Sequence, residues 1–174
     1  HTANRRQRQM CIRDRHCDLL AHMLNMPNPD PFKREGIGCS FPALAEGNVK
    51  LQVMAIFTAT ENGSTALALR QSEIFASFLA EYPNDCTLVH DINTLNQIAT
   101  SPKLGMIAAI ENASGFCEED EPLKIGFERL ERIITNTKRI LYISFTHHAE
   151  NRFGGGNNSD AGLKEDGEKL LQYL

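Results

Sequence analysis

The sequence predicts an α/β fold built on a parallel sheet, and three observations predict it. Residues 51–58 (LQVMAIFT) and 104–112 (LGMIAAIEN) are nearly continuous apolar runs rather than alternating ones, the pattern of strands buried on both faces. Stretches with apolar residues at helical spacing lie between and after these runs, and strands alternating with amphipathic helices imply parallel strands joined by crossovers. The 104–112 run is small or apolar through Ile110 and then stops at a carboxylate, Glu111. Where strands and helices alternate in a barrel, chemistry is placed at the carboxyl ends of the strands. Taken alone, Glu111 reads equally well as the first solvated residue of a loop, since charges are mostly exposed.

The 174 residues suffice for one ordinary domain, and 41% hydrophobic with 23% charged residues is ordinary globular composition. No apolar run approaches the length that spans a bilayer. Five scattered cysteines (Cys11, Cys17, Cys39, Cys86, Cys117) without a CxxC pair argue against a thiolate zinc site or a disulfide-stapled fold; they read as buried or idle thiols. A net charge of −4 gives no reason to expect a nucleic-acid partner.

In chain order, residues 5–15 (RRQRQMCIRDR) lack hydrophobic periodicity and have no apolar core for a secretory signal. The string resembles a translated sequencing adapter, so residues 1–15 are taken as a non-native segment, expected to make no regular contact with the strands, with native sequence from His16. Met10-Cys11-Ile12 would be the residues to fill a vacant first-strand position. Setting residues 1–15 aside removes five arginines and one aspartate and leaves the remainder more acidic. The stretch after His16-Cys17-Asp18 carries Pro27, Pro29 and Pro31 among Asn and Asp and reads as loop rather than helix. Residues 51–58 are the next strand. Glu61-Asn62-Gly63 turns the chain, and Ser64 caps a helix that runs to about Tyr82, where Pro83 stops it; Leu67, Ile74, Phe75, Phe78 and Leu79 mark its apolar side. Residues 86–90 are extended, and Asp91 caps a short helix to about Ala99. The strand 105–110 follows. Pro122 opens a helix, where a missing N–H costs nothing, with Phe127, Leu130, Ile133 and Ile134 on its buried side and its end near Asn136. Residues 139–145 form a further strand, residues 150–162 a polar, glycine-rich loop, and residues 163–174 a helix.

Three groups of residues offer chemistry. His16 and Asp18 are two apart, a spacing that puts side chains on one side of a strand, and an imidazole beside a carboxylate can ligate one divalent metal such as zinc. H-x-D alone is a frequent chance pattern. His147 and His148 follow a strand, at the same mouth as Glu111 if the strands are parallel; adjacent residues of a strand point to opposite faces, so at most one of the pair serves a site. Gly154-Gly155-Gly156 suggests a phosphate cradle but lacks the GxxxxGK[ST] and GxGxxG spacings. His22 and His90 read as structural or exposed, and Cys17 as packed inward.

Four segments together resemble one family. HCDLL at 16–20, LAEGNVKLQVMAIFT at 44–58, LGMIAAIEN at 104–112 and LYISFTHHAENRFGGGNNSDAGLKEDG at 141–167 look, in order and approximate spacing, like the membrane (renal) dipeptidases, zinc metallopeptidases on a (β/α)8 TIM barrel with a two-zinc centre. The resemblance covers nearly all of residues 16–174, and implies a partial barrel, roughly its first half, truncated at the carboxyl end. It implies that His16 and Asp18 ligate one Zn2+, that Glu111 bridges two Zn2+ ions, and that His147 contacts substrate near the tetrahedral centre. Asn151 and Arg152 lie in the loop that shapes the site's mouth, without an assigned role. The implied reaction is hydrolysis of a dipeptide by water that the metal charge makes nucleophilic at neutral pH. The complete enzyme would be a homodimer in this reading, with a dipeptide as substrate. Two further histidine ligands, an arginine and an aspartate of the family have no counterpart here, so residues 1–174 alone are expected to show no dipeptidase activity and at most weak zinc binding. Two other readings stay open: a binuclear hydrolase of the amidohydrolase type, which bridges its metals with a modified lysine, and a non-catalytic α/β domain. Lys103 lies at the start of its strand, the wrong end for such a bridge. The residues do not specify a compartment.

Overall fold

The computed structural model describes residues 12–34 and 36–174. In chain order the elements are β1 (Ile12–Cys17), α1 (Leu19–Leu24), α2 (Phe41–Glu46), β2 (Val49–Phe57), α3 (Ser64–Glu81), β3 (Cys86–Leu88), α4 (Ile92–Ile98), β4 (Leu104–Glu111), a 3-10 turn (Ala113–Gly115), α5 (Leu123–Thr137), β5 (Ile140–Ser144) and α6 (Glu165–Tyr173). All pairings among the named strands are parallel. β2 lies between β1 and β4; the far edge of β4 takes the short β3 along its start and β5 along its end. The long strands therefore run β1-β2-β4-β5 across the sheet in chain order, the arrangement of a barrel wall, and the fold is a partial (β/α)8 barrel.

The period-2 alternation of the strands sorts the core into two layers. Met54 and Ile56 of β2, with Met106, Ala108 and Ile110 of β4, face the helices and pack with Leu20 and Met23 of α1, Phe75 and Phe78 of α3, and Leu130 and Ile133 of α5. The residues between them (Leu51, Val53, Ile107 and Ala109) form a separate cluster on the other face. Glu111 continues that second series, so alternation carries it to the inner face at the carboxyl end of β4. Among the described residues, no helix is long and apolar enough to cross a membrane.

Three expectations are corrected. Residues 12–15, expected to make no regular contact, are paired backbone of β1: Ile12 lies opposite Val49, Arg13 opposite Leu51 and Asp14 opposite Gln52. Ile12 thus does enter the first strand; Met10 and Cys11, with the rest of residues 1–11, lie outside the described residues. The stretch after Asp18, expected as loop, opens with α1. Its prolines begin only at Pro27, beyond the end of the helix, and Leu19, Leu20 and Met23 form one buried face. Ser64 does not cap α3. The cap position is Gly63 at φ 92°, while Ser64 Oγ donates to the Ala59 carbonyl. The orphan donors of the first turn find the Glu118 carboxylate instead: Gly63 N, Thr65 N and Thr65 Oγ1 all donate to its Oε1 at 2.9, 3.2 and 3.0 Å. The cap at α4 is as expected, with Asp91 and Thr94 forming a reciprocal capping box.

Candidate metal centre

Parallel register sets the site. Glu111 is the last residue of β4 and lies opposite Phe57 of β2 on one side and Ser144 of β5 on the other. His16 is the penultimate residue of β1, and Asp18 directly follows that strand, at the start of α1. One ligand atom from each of His16, Asp18 and Glu111 lies within 4.8 Å of the others, a spacing that ligands sharing one ion with bonds of about 2 Å require. One imidazole and two carboxylates form a hard-to-borderline donor set suited to a divalent cation such as zinc.

The two oxygens of Glu111 face different histidines. Oε2 is 3.4 Å from His16 Nε2, and Oε1 is 3.6 Å from His147 Nε2. The Glu111 side chain is 16% exposed, and the two imidazoles 34% and 33%, so the carboxylate is less exposed than either ring. His147 stands edge-on to the Phe57 ring, with centroids 5.0 Å apart. His148 packs against His147 on the exposed side, so only one histidine of the doublet faces Glu111. His22 and His90 are exposed and outside this cluster. Cys17, between the two candidate ligands, turns its thiol toward Met54 Sδ at 3.7 Å.

Across all 174 residues, the chain matches the family model described as Membrane dipeptidase (Peptidase family M19). The chain belongs to the membrane dipeptidase family. Among solved structures it is similar to the probable dipeptidase PvdM from Pseudomonas aeruginosa, with a TM-score of 0.65 and 14% sequence identity over 84% of this chain and 39% of that one. At that identity the likeness bears on the fold, and the chain spans about two fifths of the length of that structure. No curated protein matches the sequence.

In this membrane dipeptidase chain, two residues that sequence reasoning passed over hold the cluster in place. Tyr142 of β5 brings its hydroxyl to 2.8 Å from His16 Nδ1. Burial raises its pKa, and the charges of Glu111 and Asp18 raise it further. Tyr142 lies two residues before Ser144, the register partner of Glu111, within a stretch where the β4–β5 register shifts, so simple alternation does not give its direction. The second residue is Asn112, buried at φ 78° and ψ 111° directly after Glu111. Its Nδ2 donates to the Thr58 carbonyl at 2.9 Å and to Thr60 Oγ1 at 3.0 Å, while its Oδ1 accepts from Ser114 N and Asn151 Nδ2. One side chain thereby ties the loop after β2, the 3-10 turn and the loop after β5 to the end of β4.

Asn151 and Arg152 make their side-chain contacts away from the His16, Asp18 and Glu111 cluster. Asn151 is buried and donates to Asn112 Oδ1, Ser114 Oγ and the Phe145 carbonyl. The Arg152 guanidinium binds Asp166 Oδ2 and the carbonyls of Glu118 and Glu121, fastening this loop to α6. The glycine run packs tightly within its own loop. A Cβ on Gly155 would sit 1.9 Å from the Ala161 carbonyl oxygen, and one on Gly156 2.5 Å from the carbonyl oxygens of His148 and Ala149. That close approach lets Asn157 N and Asn158 N donate to the carbonyls of His147 and His148, which fixes the backbone that carries the two rings.

Proposed function

We propose that the protein is a zinc-dependent dipeptidase and that these residues supply part of its two-zinc centre. The observation that carries this reading is the convergence of His16, Asp18 and Glu111 at the carboxyl ends of two strands, with His147 at the second oxygen of Glu111. His16 and Asp18 would hold one Zn2+, and Glu111 would be a ligand shared with a second. Zinc, when bound, supplies Lewis acidity that polarises the scissile carbonyl and makes water nucleophilic at neutral pH. His147 orients the substrate by donating from Nε2 to its carbonyl oxygen, a contact that strengthens as negative charge develops there and is worth roughly 3 kcal/mol. Phe57 keeps that ring in place. Three ligands are fewer than two zinc ions take at about four each, so further ligands must come from elsewhere in the complete protein.

The amidohydrolase alternative needs a lysine at the metals. Lys103 Nζ instead donates to the Pro83 carbonyl at 2.6 Å, beside the start of β4, at the opposite end of the strand from Glu111. The test is metal content and dipeptide hydrolysis by the full-length gene product and its Glu111→Gln variant. The reading expects about two zinc ions per chain and turnover in the wild type, with both lost in the variant. A wild type that binds zinc but turns over only lactones or cyclic amides would favour the alternative.

A further inference from the structure

His16 has two ring nitrogens and one neighbour for each. Nε2 faces Glu111 Oε2 at 3.4 Å, and Nδ1 faces the Tyr142 hydroxyl at 2.8 Å. A neutral imidazole carries one N–H and one lone pair, and a metal ligand needs the lone pair on the nitrogen that faces the metal. Free histidine gives no strong assurance of which nitrogen holds the proton, so a partner on the other nitrogen sets the tautomer.

We propose that Tyr142 is the positioning residue for His16: its phenolic oxygen accepts the Nδ1–H, which leaves the Nε2 lone pair aimed at the cluster formed with Asp18 and Glu111. This inference rests on the metal-centre reading above. The contact runs through the hydroxyl and not through ring stacking, because the two rings are tilted by 54° with centroids 6.5 Å apart. It also crosses the sheet. Tyr142 is on β5 and His16 on β1, strands separated by β2 and β4 in the pairing order, so the curl of the sheet brings the two outer strands within reach of one hydrogen bond. A phenol suits the place, since it accepts the N–H without adding a third carboxylate beside Asp18 and Glu111. Phenylalanine would fill the same volume and remove only the acceptor.

The experiment uses full-length wild type and the Tyr142→Phe, His16→Gln and double variants, with zinc affinity read by competition against a chromophoric chelator. Tyr142→Phe is expected to weaken zinc binding about 10- to 100-fold, the range for loss of an outer-shell partner, and to leave the melting temperature of the zinc-free protein unchanged. In the His16→Gln background the same change is expected to have no further effect on zinc. Long-range nitrogen NMR of the zinc-bound wild type is expected to show a His16 Nδ1–H protected from solvent exchange, and faster exchange of that proton in Tyr142→Phe. Unchanged zinc affinity in Tyr142→Phe, or an equal loss with and without His16, overturns the positioning role. A wild type that binds no zinc overturns the metal-centre reading itself.

Discussion

Glu111 lies between two imidazoles, and that placement makes its charge the quantity to test. Glu111→Gln keeps the shape and removes the charge that two cations would share, so zinc content and turnover should fall together, as elemental analysis and a dipeptide assay would record. His147→Ala should separate them: zinc retained, and kcat lower by on the order of 100-fold, the usual loss for one oxyanion donor. A variant that loses zinc as well would make His147 a ligand. The convergence of His16, Asp18 and Glu111 was legible because their residue types and strand-end positions are unusual, and the family resemblance ordered them. Tyr142 was not legible in the same way. An aromatic residue in a strand ordinarily signals β-propensity, and the register shift beside Tyr142 hides its direction from simple alternation; its contact with His16 reveals it.

Among the elements, β2, β4, α3, α4 and α5 could be read from the sequence because each combines a clear period with a clear stop. Phe75 of α3 is fully buried against the sheet, and Phe75→Ala should cost about 3–5 kcal/mol, measurable by urea unfolding. β1 and α1 were misread for different reasons: residues 1–15 lack a strand's periodicity and resemble an adapter string, and the prolines after α1 suggested loop throughout. Arginine-rich residues 5–15 masked the pairing of residues 12–15, and prolines beyond the end of α1 masked its six residues. The end of β4 depends on Asn112, whose positive φ is tolerated by asparagine better than by most residues and is held by four side-chain hydrogen bonds. Asn112→Ala puts a residue that disfavours positive φ at this position, removes all four bonds and leaves buried partners unsatisfied. A loss of about 3 kcal/mol or more is expected, again by urea unfolding, together with weaker zinc binding because Glu111 is the preceding residue.

Two partly buried ion pairs give the molecule as a whole an acid limit. The hydrogen bonds from Arg129 hold the Glu121 carboxyl below the usual range, outweighing burial. Burial pushes the Asp166 carboxyl up, but the hydrogen bonds and charge of Arg152 overcome it and leave it lowered. Both carboxylates therefore release their protons more readily in the folded state than in the unfolded one. The stability they confer is complete above the ordinary carboxylate range, at a pKa of about 4, and is lost as pH falls through the lower folded values. Melting temperature should stay level down to about pH 5 and drop below it, and Arg129→Met should flatten that acid limb in a circular-dichroism series. The cap on α3 bears on the order in which the chain acquires structure. The Glu118 carboxylate that completes the first turn of α3 comes from beyond β4, 53 residues after Thr65. During synthesis the helix emerges with that turn unsecured, and the cap closes only after β4 has been made and docked. Glu118→Ala should accordingly speed unfolding and leave the refolding rate nearly unchanged, the signature of a contact formed after the transition state.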